Sequence, residues 1–208
     1  MLVEKLKDKY GFNKPILTNE IIDAFPQYSR GRIFQLLQEA ERREEIVRYD
    51  TGVYYIPTKT EFGKSIISVN QVIDKKYIEN NGEVFGIYGR FVIELNFLLS
   101  YQLPNTIEVI TNNETRRVRE VEIRNRRVVL RRSRCPINND NYKAYTVMEL
   151  FTLIDLRQYR EDKMVRDEIK KYLSNEQIKK SDLFALASAF PARTMKNMAE
   201  SGLLNEIA

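Results

Sequence analysis

Histidine is absent from all 208 residues of the chain. Its absence excludes Ser-His and Cys-His catalysis and any metal site ligated by imidazole. Cysteine occurs once, as Cys135. A single thiol makes no intrachain disulfide, and without histidine it completes no structural zinc site. It fits a reducing, cytoplasmic setting. Long apolar runs are missing too. The longest, FVIELNFLLSY at 91–101, is too short to span a bilayer and carries Glu94. The N-terminal MLVEKLKDKYGF holds acids and no apolar core, so no signal peptide is read there. Gly82, Gly86 and Gly89 lack the spacing and the following lysine of a phosphate loop.

Composition is that of an ordinary globular protein, 43% hydrophobic and 30% charged. The net charge of +5 is unevenly placed. Residues 1–57 hold nine Lys/Arg and nine Asp/Glu, and residues 136–208 hold eleven of each. Residues 113–135 hold nine arginines against three acids. The excess therefore lies in one short segment, and all nine of its basic residues are arginine.

The most informative stretch is residues 17–57. Leu2 to Tyr10 reads as a first helix closed by Gly11, followed by extended Pro15-Ile16-Leu17. Thr18 is a candidate N-cap for a second helix to about Phe25, and Pro26 forbids its continuation. Ser29 caps a third helix from Arg30 to about Arg43. Ile33, Leu36, Leu37 and Ala40 form its buried stripe, spaced i, i+3, i+4, i+7. EIVRYD and VYYIP then read as a hairpin over 45–57 with its tip at Asp50-Thr51-Gly52. This is the pattern of a winged helix-turn-helix, whose third helix enters a DNA major groove.

On that reading Arg30, Arg32, Gln35 and Gln38 face base edges, because arginine reads guanine and glutamine reads adenine. Gly31 permits close approach, and Arg42 follows on the same face. Ser29 and the exposed N–H groups at the helix start can meet a phosphate. Arg48, Tyr49, Thr51 and Tyr54 are the wing residues expected at the backbone or minor groove. Acids at Glu39, Glu41, Glu44 and Glu45 leave the N-terminal half as the inserted part.

Residues 58–75 read as a connector, 89–101 as helical and 106–111 as a strand. Residues 114–134 alternate as a hairpin turning at Arg124-Asn125, with Val121, Ile123, Val128 and Leu130 inward. Arg116, Arg117, Arg119, Arg124, Arg126, Arg127, Arg131, Arg132 and Arg134 form a second basic surface. It suits nucleic acid, an acidic protein partner, or plain solvation against Glu120 and Glu122. Residues 145–173 and 176–204 read as helical, broken near Ser174-Asn175 and at Pro191. Ala24-Phe25-Pro26 echoes Ala189-Phe190-Pro191, and Thr194 is a possible cap after the second. The triplets Glu161-Asp162-Lys163 and Glu168-Ile169-Lys170 could suggest a nuclease. Both lie in helical pattern, where i and i+2 side chains diverge.

The wing ending GVYYIP, followed by KTEFGKS, resembles the N-terminal region of AbiEi-type antitoxins of type IV toxin–antitoxin (abortive infection) systems. The block VFGIYGRFVIELNFLLSYQLPNTIEVITNN at 84–113 resembles a second stretch of that family through Gly86, Gly89, Asn96, Gln102, Pro104, Thr111 and Asn112. The resemblance implies a winged-helix repressor of its own operon that binds inverted repeats in double-stranded DNA. It also implies a second domain that neutralises a cognate nucleotidyltransferase-like toxin. Carried over by position, Ser29, Arg30, Arg32, Gln35 and the wing residues become the operator-reading set.

The expectation is therefore an α+β protein: a winged helix-turn-helix over 1–60, then a mixed α/β domain over 61–208 with an Arg-rich β-hairpin and a helical C-terminus. It is expected to bind DNA and a toxin, to use no cofactor or metal, and to catalyse nothing. The alternatives are a nucleic-acid-processing enzyme or its accessory subunit, and a winged-helix adaptor for protein partners.

Overall fold

The computed structural model describes residues 2–61, 63–100 and 105–207. The chain is mixed α+β. It divides into two compact units, Met1–Lys76 and Tyr77–Ala208.

The first unit opens with α1 (Leu2–Tyr10), which stops at Gly11 with φ of 76°. β1 (Ile16–Leu17) leads straight into α2 (Thr18–Ala24). The cap is Leu17 rather than Thr18: the Glu20 carboxylate reaches back to accept from the Leu17 N–H at 2.9 Å. Lys5 donates to the Ala24 carbonyl at 2.7 Å, satisfying one of the acceptors that a helix end leaves open. After five intervening residues α3 (Arg30–Arg42) begins under Ser29, whose hydroxyl accepts from Arg32 N–H at 3.3 Å.

β2 (Val47–Asp50) and β3 (Val53–Tyr55) form an antiparallel hairpin, and β3 also pairs with β1. Gly52, at φ of 74°, closes the hairpin tip and accepts from the Thr18 N–H at 3.0 Å. Ile33, Leu37 and Ala40 meet Leu6, Ile16, Ile21, Phe25, Ile46 and Ile56 in one core.

Residues 58–76 belong to this unit, so the contact boundary lies past residue 60. β4 (Lys59–Thr60) pairs with β5 (Gly63–Lys64), and α4 (Val69–Ile73) follows. Polar contacts tie the stretch down. Tyr55 donates to the Ser65 carbonyl at 3.0 Å, Asn13 donates to Thr58 Oγ1 at 3.0 Å, and Lys75 meets the nearly buried Glu20 at 2.7 Å. The sequence offers no apolar period here, so the attachment is invisible until those side chains are placed.

In the second unit β6 (Glu79–Asn80) and β7 (Glu83–Val84) make a small hairpin. β8 (Gly86–Tyr88) and α5 (Arg90–Asn96) follow. β9 (Ile107–Thr111), β10 (Val118–Ile123) and β11 (Arg126–Arg132) complete a sheet of order β10-β11-β9-β8. β11 runs parallel to β9 and the other pairs are antiparallel. Arg124 and Asn125 both take positive φ, 46° and 62°, which a two-residue hairpin turn demands. Ile123, Val128 and Leu130 are buried as the alternation requires, and Val121 is half-buried.

The C-terminal helices are shorter than their pattern suggests. They are α6 (Tyr142–Leu153), α7 (Leu156–Glu161), α8 (Lys163–Asn175), α9 (Lys180–Leu186), α10 (Ala192–Ser201) and α11 (Leu203–Glu206). Asp155 and Asp162 break the expected 145–173 helix. Each turns its carboxylate onto the next helix start, Asp155 onto Arg157 N–H at 2.9 Å and Asp162 onto Met164 N–H at 2.9 Å. α6 is the central helix, burying Tyr145, Val147, Met148, Leu150 and Phe151. Thr194 is not a cap. It is buried inside α10 and shares a 2.8 Å hydroxyl contact with Thr152 of α6.

Four residues of the middle block hold the sheet together. A Cβ on Gly86 would collide with the Tyr77 carbonyl and stand 2.9 Å from that of Ile110. One on Gly89 would stand 2.6 Å from Glu108 Cγ. Thr111 donates to the Phe85 carbonyl at 3.2 Å, and Asn112 donates to that of Ile137 at 2.7 Å. Gln102 and Pro104 lie outside the described residues. Gly86→Ala should cost at least about 3 kcal/mol, because backbone rather than a flexible side chain meets the new methyl. Chemical denaturation followed by circular dichroism will read this as a lower midpoint.

Candidate nucleic-acid interface

α3 divides cleanly into two faces. Ile33, Leu37 and Ala40 are buried and Leu36 is half-buried. Ser29, Arg30, Gly31, Arg32, Gln35, Gln38 and Arg42 are exposed. The polar face is braced along its own helix. Arg32 donates to Gln35 Oε1 at 3.3 Å and stands 3.9 Å from Glu39. Both partners of that ion pair are about half exposed, so it holds Arg32 weakly. Arg30 lies over the Phe34 ring, 5.7 Å from its centroid.

A cleft of about 560 Å³ opens between the start of α2, the polar face of α3 and the hairpin. Arg30, Gln38, Arg48, Thr51 and Tyr54 line it together. Ser29, Gly31, Arg32, Gln35 and Arg42 lie on the helix outside it. Asn19, Phe34 and Lys76 also line the cleft and escape a reading by motif. Asn19 and Phe34 look like helix surface in sequence, and Lys76 falls in the connector.

Two of the expected wing residues are not projecting side chains. Tyr49 is buried edge-on against Tyr55, ring centroids 6.3 Å apart. The pairing register slips between Arg48 and Asp50, so Tyr49 is the extra residue of a bulge and is turned from its neighbours' face. Tyr54 is only 5% exposed and forms the cleft wall within the first core. Burial raises its phenol, with Arg48 pulling the other way, so the hydroxyl stays a donor at neutral pH. Arg48 and Thr51 remain as exposed hairpin contacts.

The second basic surface separates into paired and unpaired arginines. Arg119 meets buried Glu114 at 2.6 Å, and Arg134 meets buried Glu149 at 3.0 Å. Arg131 pairs with buried Glu108, and Arg127 with exposed Glu120 at 2.9 Å. Arg124 sits in the hairpin turn. Arg116, Arg117, Arg126 and Arg132 have no acid partner among the described residues. Arg117, Arg131, Arg132 and Arg134 line a cleft of about 310 Å³, which Arg90 and Arg193 also enter. The last two are far away in sequence and no charge run marks them.

The buried acids titrate in opposite senses. Desolvation pulls Glu114 up, but hydrogen bonds from Arg116 N–H and Arg119 outweigh it and the carboxyl ends below its ordinary value. Burial lifts Glu149 above it, against the pull of Arg134. No family model matches this chain, and no curated protein matches it.

Removing different arginines should therefore have different consequences. Arg131→Ala strands Glu108 and should cost about 1–3 kcal/mol in a denaturant titration, Arg131 being half exposed. Arg132→Ala should stay within about 0.5 kcal/mol. Glu114, held low in the folded state, contributes stability at neutral pH and loses it as pH falls through about 4.3 and below. Glu114→Gln should flatten that acid limb of the stability profile.

Proposed function

We propose that this chain binds double-stranded DNA sequence-specifically through a winged helix-turn-helix in its first unit. On this reading it represses its own promoter and serves as the antitoxin of a type IV toxin–antitoxin system, acting by binding and not by catalysis. One observation carries the DNA reading: the solvent-facing side of α3 presents Arg30, Arg32, Gln35 and Gln38 beside a hairpin that adds Arg48 and Thr51. The antitoxin part rests on the family resemblance of the wing stretch and the middle block.

The chemistry follows from the helix. Ser29 and the N–H groups of the first turn meet a phosphate where the helix starts. Arg32 leaves Glu39 at little cost, since an exposed pair is worth about 0–1 kcal/mol. It can then present its fork to a guanine, and the glutamines can present theirs to adenine. Gly31 has open space where a Cβ would be, so a base or sugar can come close. Glu39, Glu44 and Glu45 would repel the backbone toward the far end and favour insertion of the first half, while Glu41 lines the cleft beside Arg30 and Arg48.

The test is gel retardation of the protein's own promoter fragment against a random duplex of equal length. The promoter should bind more tightly, and Gln35→Ala and Gln38→Ala should each remove about 1–3 kcal/mol of that preference. Equal retention of the two duplexes at moderate salt sinks the reading, and retention of neither favours a protein-interaction adaptor. The antitoxin part predicts growth rescue on co-expression with a nucleotidyltransferase-like protein encoded in the same operon.

A further inference from the structure

The arginine-lined cleft of the second unit is built for more than a solvated strand. Six guanidinium groups line it, from Arg90, Arg117, Arg131, Arg132, Arg134 and Arg193, against the two carboxylates of Glu108 and Glu149. They arrive from separate elements: the first turn of α5, the residue before β10, the end of β11 and its exit, and the first turn of α10. Three of them are clamped by one nitrogen. Arg131 Nε donates to Glu108, Arg134 Nε to Glu149 at 3.0 Å, and Arg90 Nε to Glu94 at 2.7 Å. Among the described residues, the Nη groups of these three have no hydrogen-bond acceptor.

A guanidinium carries five N–H donors, so each clamped arginine keeps a fork to offer while its stem is fixed. Arg193 spends one Nη on the Thr152 carbonyl at 2.8 Å and has no acid partner among the described residues. Arg117 and Arg132 are uncommitted in the same sense. Guanidiniums held at their inner nitrogen around one cleft, with outer forks that donate to no acceptor among the described residues, match the several oxygens of a compact polyanion.

We propose that this cleft binds an oligophosphate: a small anion with two or more linked phosphoryl groups, whether inorganic tripolyphosphate or the phosphate tail of a nucleotide. A volume of about 310 Å³ is at the small end for a ligand pocket and suits such a group. A nucleic-acid backbone carries single charges spaced along a line and suits a flat track. Here the six arginines border one cleft together with the buried acids Glu108 and Glu149 and the largely buried Thr152. The site is independent of α3 and of the reading given to it.

The experiment is calorimetric titration of the full chain with tripolyphosphate, with GTP, with orthophosphate and with a short random duplex. Tripolyphosphate should bind saturably at one per chain, and orthophosphate at least tenfold more weakly. GTP binding tighter than tripolyphosphate names a nucleotide as the source; equal binding names the phosphate chain itself. The double variant R117Q/R132Q, which breaks no ion pair, should weaken tripolyphosphate at least tenfold. R193Q, on another element, should weaken it several-fold. K196Q, which removes the same charge further along α10 outside the cleft, should leave it within twofold. If K196Q weakens binding as much as R193Q does, the attraction is a diffuse field and the proposal fails. It fails equally if only the duplex saturates, or if neither polyphosphate does.

Discussion

Glu108 is the point on which the second unit turns. It lies on the central strand β9, 7% exposed, and a carboxylate so placed costs several kcal/mol unless its charge is answered. Arg131 answers it from the neighbouring parallel strand, where register sets Glu108 opposite Val129 and Arg131 opposite Ile110. The pair is thus diagonal across the ladder, within reach of a long side chain. Room for it comes from Gly89: any Cβ there would press on Glu108 Cγ, and Gly89 N–H donates to the Glu108 carbonyl at 2.7 Å. One glycine, one acid and one arginine therefore fix the junction of β8, β9 and β11 together.

The same logic is repeated by Glu149 and Glu114, and it changes what the arginine excess means. In sequence the nine arginines look equivalent. In the fold, three are claimed by buried acids, which orient them and spend their charge locally. Arg116, Arg117, Arg126 and Arg132 have no acid partner among the described residues, so their charge is not spent in that way. Counting charge along residues 113–135 overstates the free positive surface, because Glu108 and Glu149 come from outside that segment. It also understates the charge of the cleft, because Arg90 and Arg193 come from outside it too.

Where local chemistry decides a boundary, the sequence is readable. Gly11, Pro26, Gly52 and the Arg124-Asn125 turn each fall where backbone conformation requires them, and the stripe of α3 follows from its spacing. Asp155 and Asp162 are harder, because a capping aspartate and a surface aspartate look alike within a continuous helical pattern. Tyr49 and Tyr54 illustrate a different limit. A tyrosine on a hairpin can face either way, and a single bulge residue decides which. The cleft was out of reach altogether: nothing short of the tertiary fold brings positions 90, 117, 132 and 193 together.

The first unit makes the complementary arrangement. Its residues 1–76 hold thirteen Lys/Arg against eleven Asp/Glu, so their attraction for a polyanion is weak and strongly reduced by salt. What α3 offers instead is pattern: Arg32 lightly tethered to Gln35 and Glu39, Arg30 resting on Phe34, and Gln38 exposed. Each tether is weak enough to exchange for a base edge and sufficient to keep the side chain ordered beforehand. On the DNA-binding reading proposed above, a helix so arranged would lose little entropy on binding and would discriminate more than it attracts. On the two proposals, discrimination and charge draw on different residues. The first draws on exposed side chains with weak internal partners, the second on arginines held at their inner nitrogen together with Arg117, Arg132 and Arg193, which have no acid partner among the described residues.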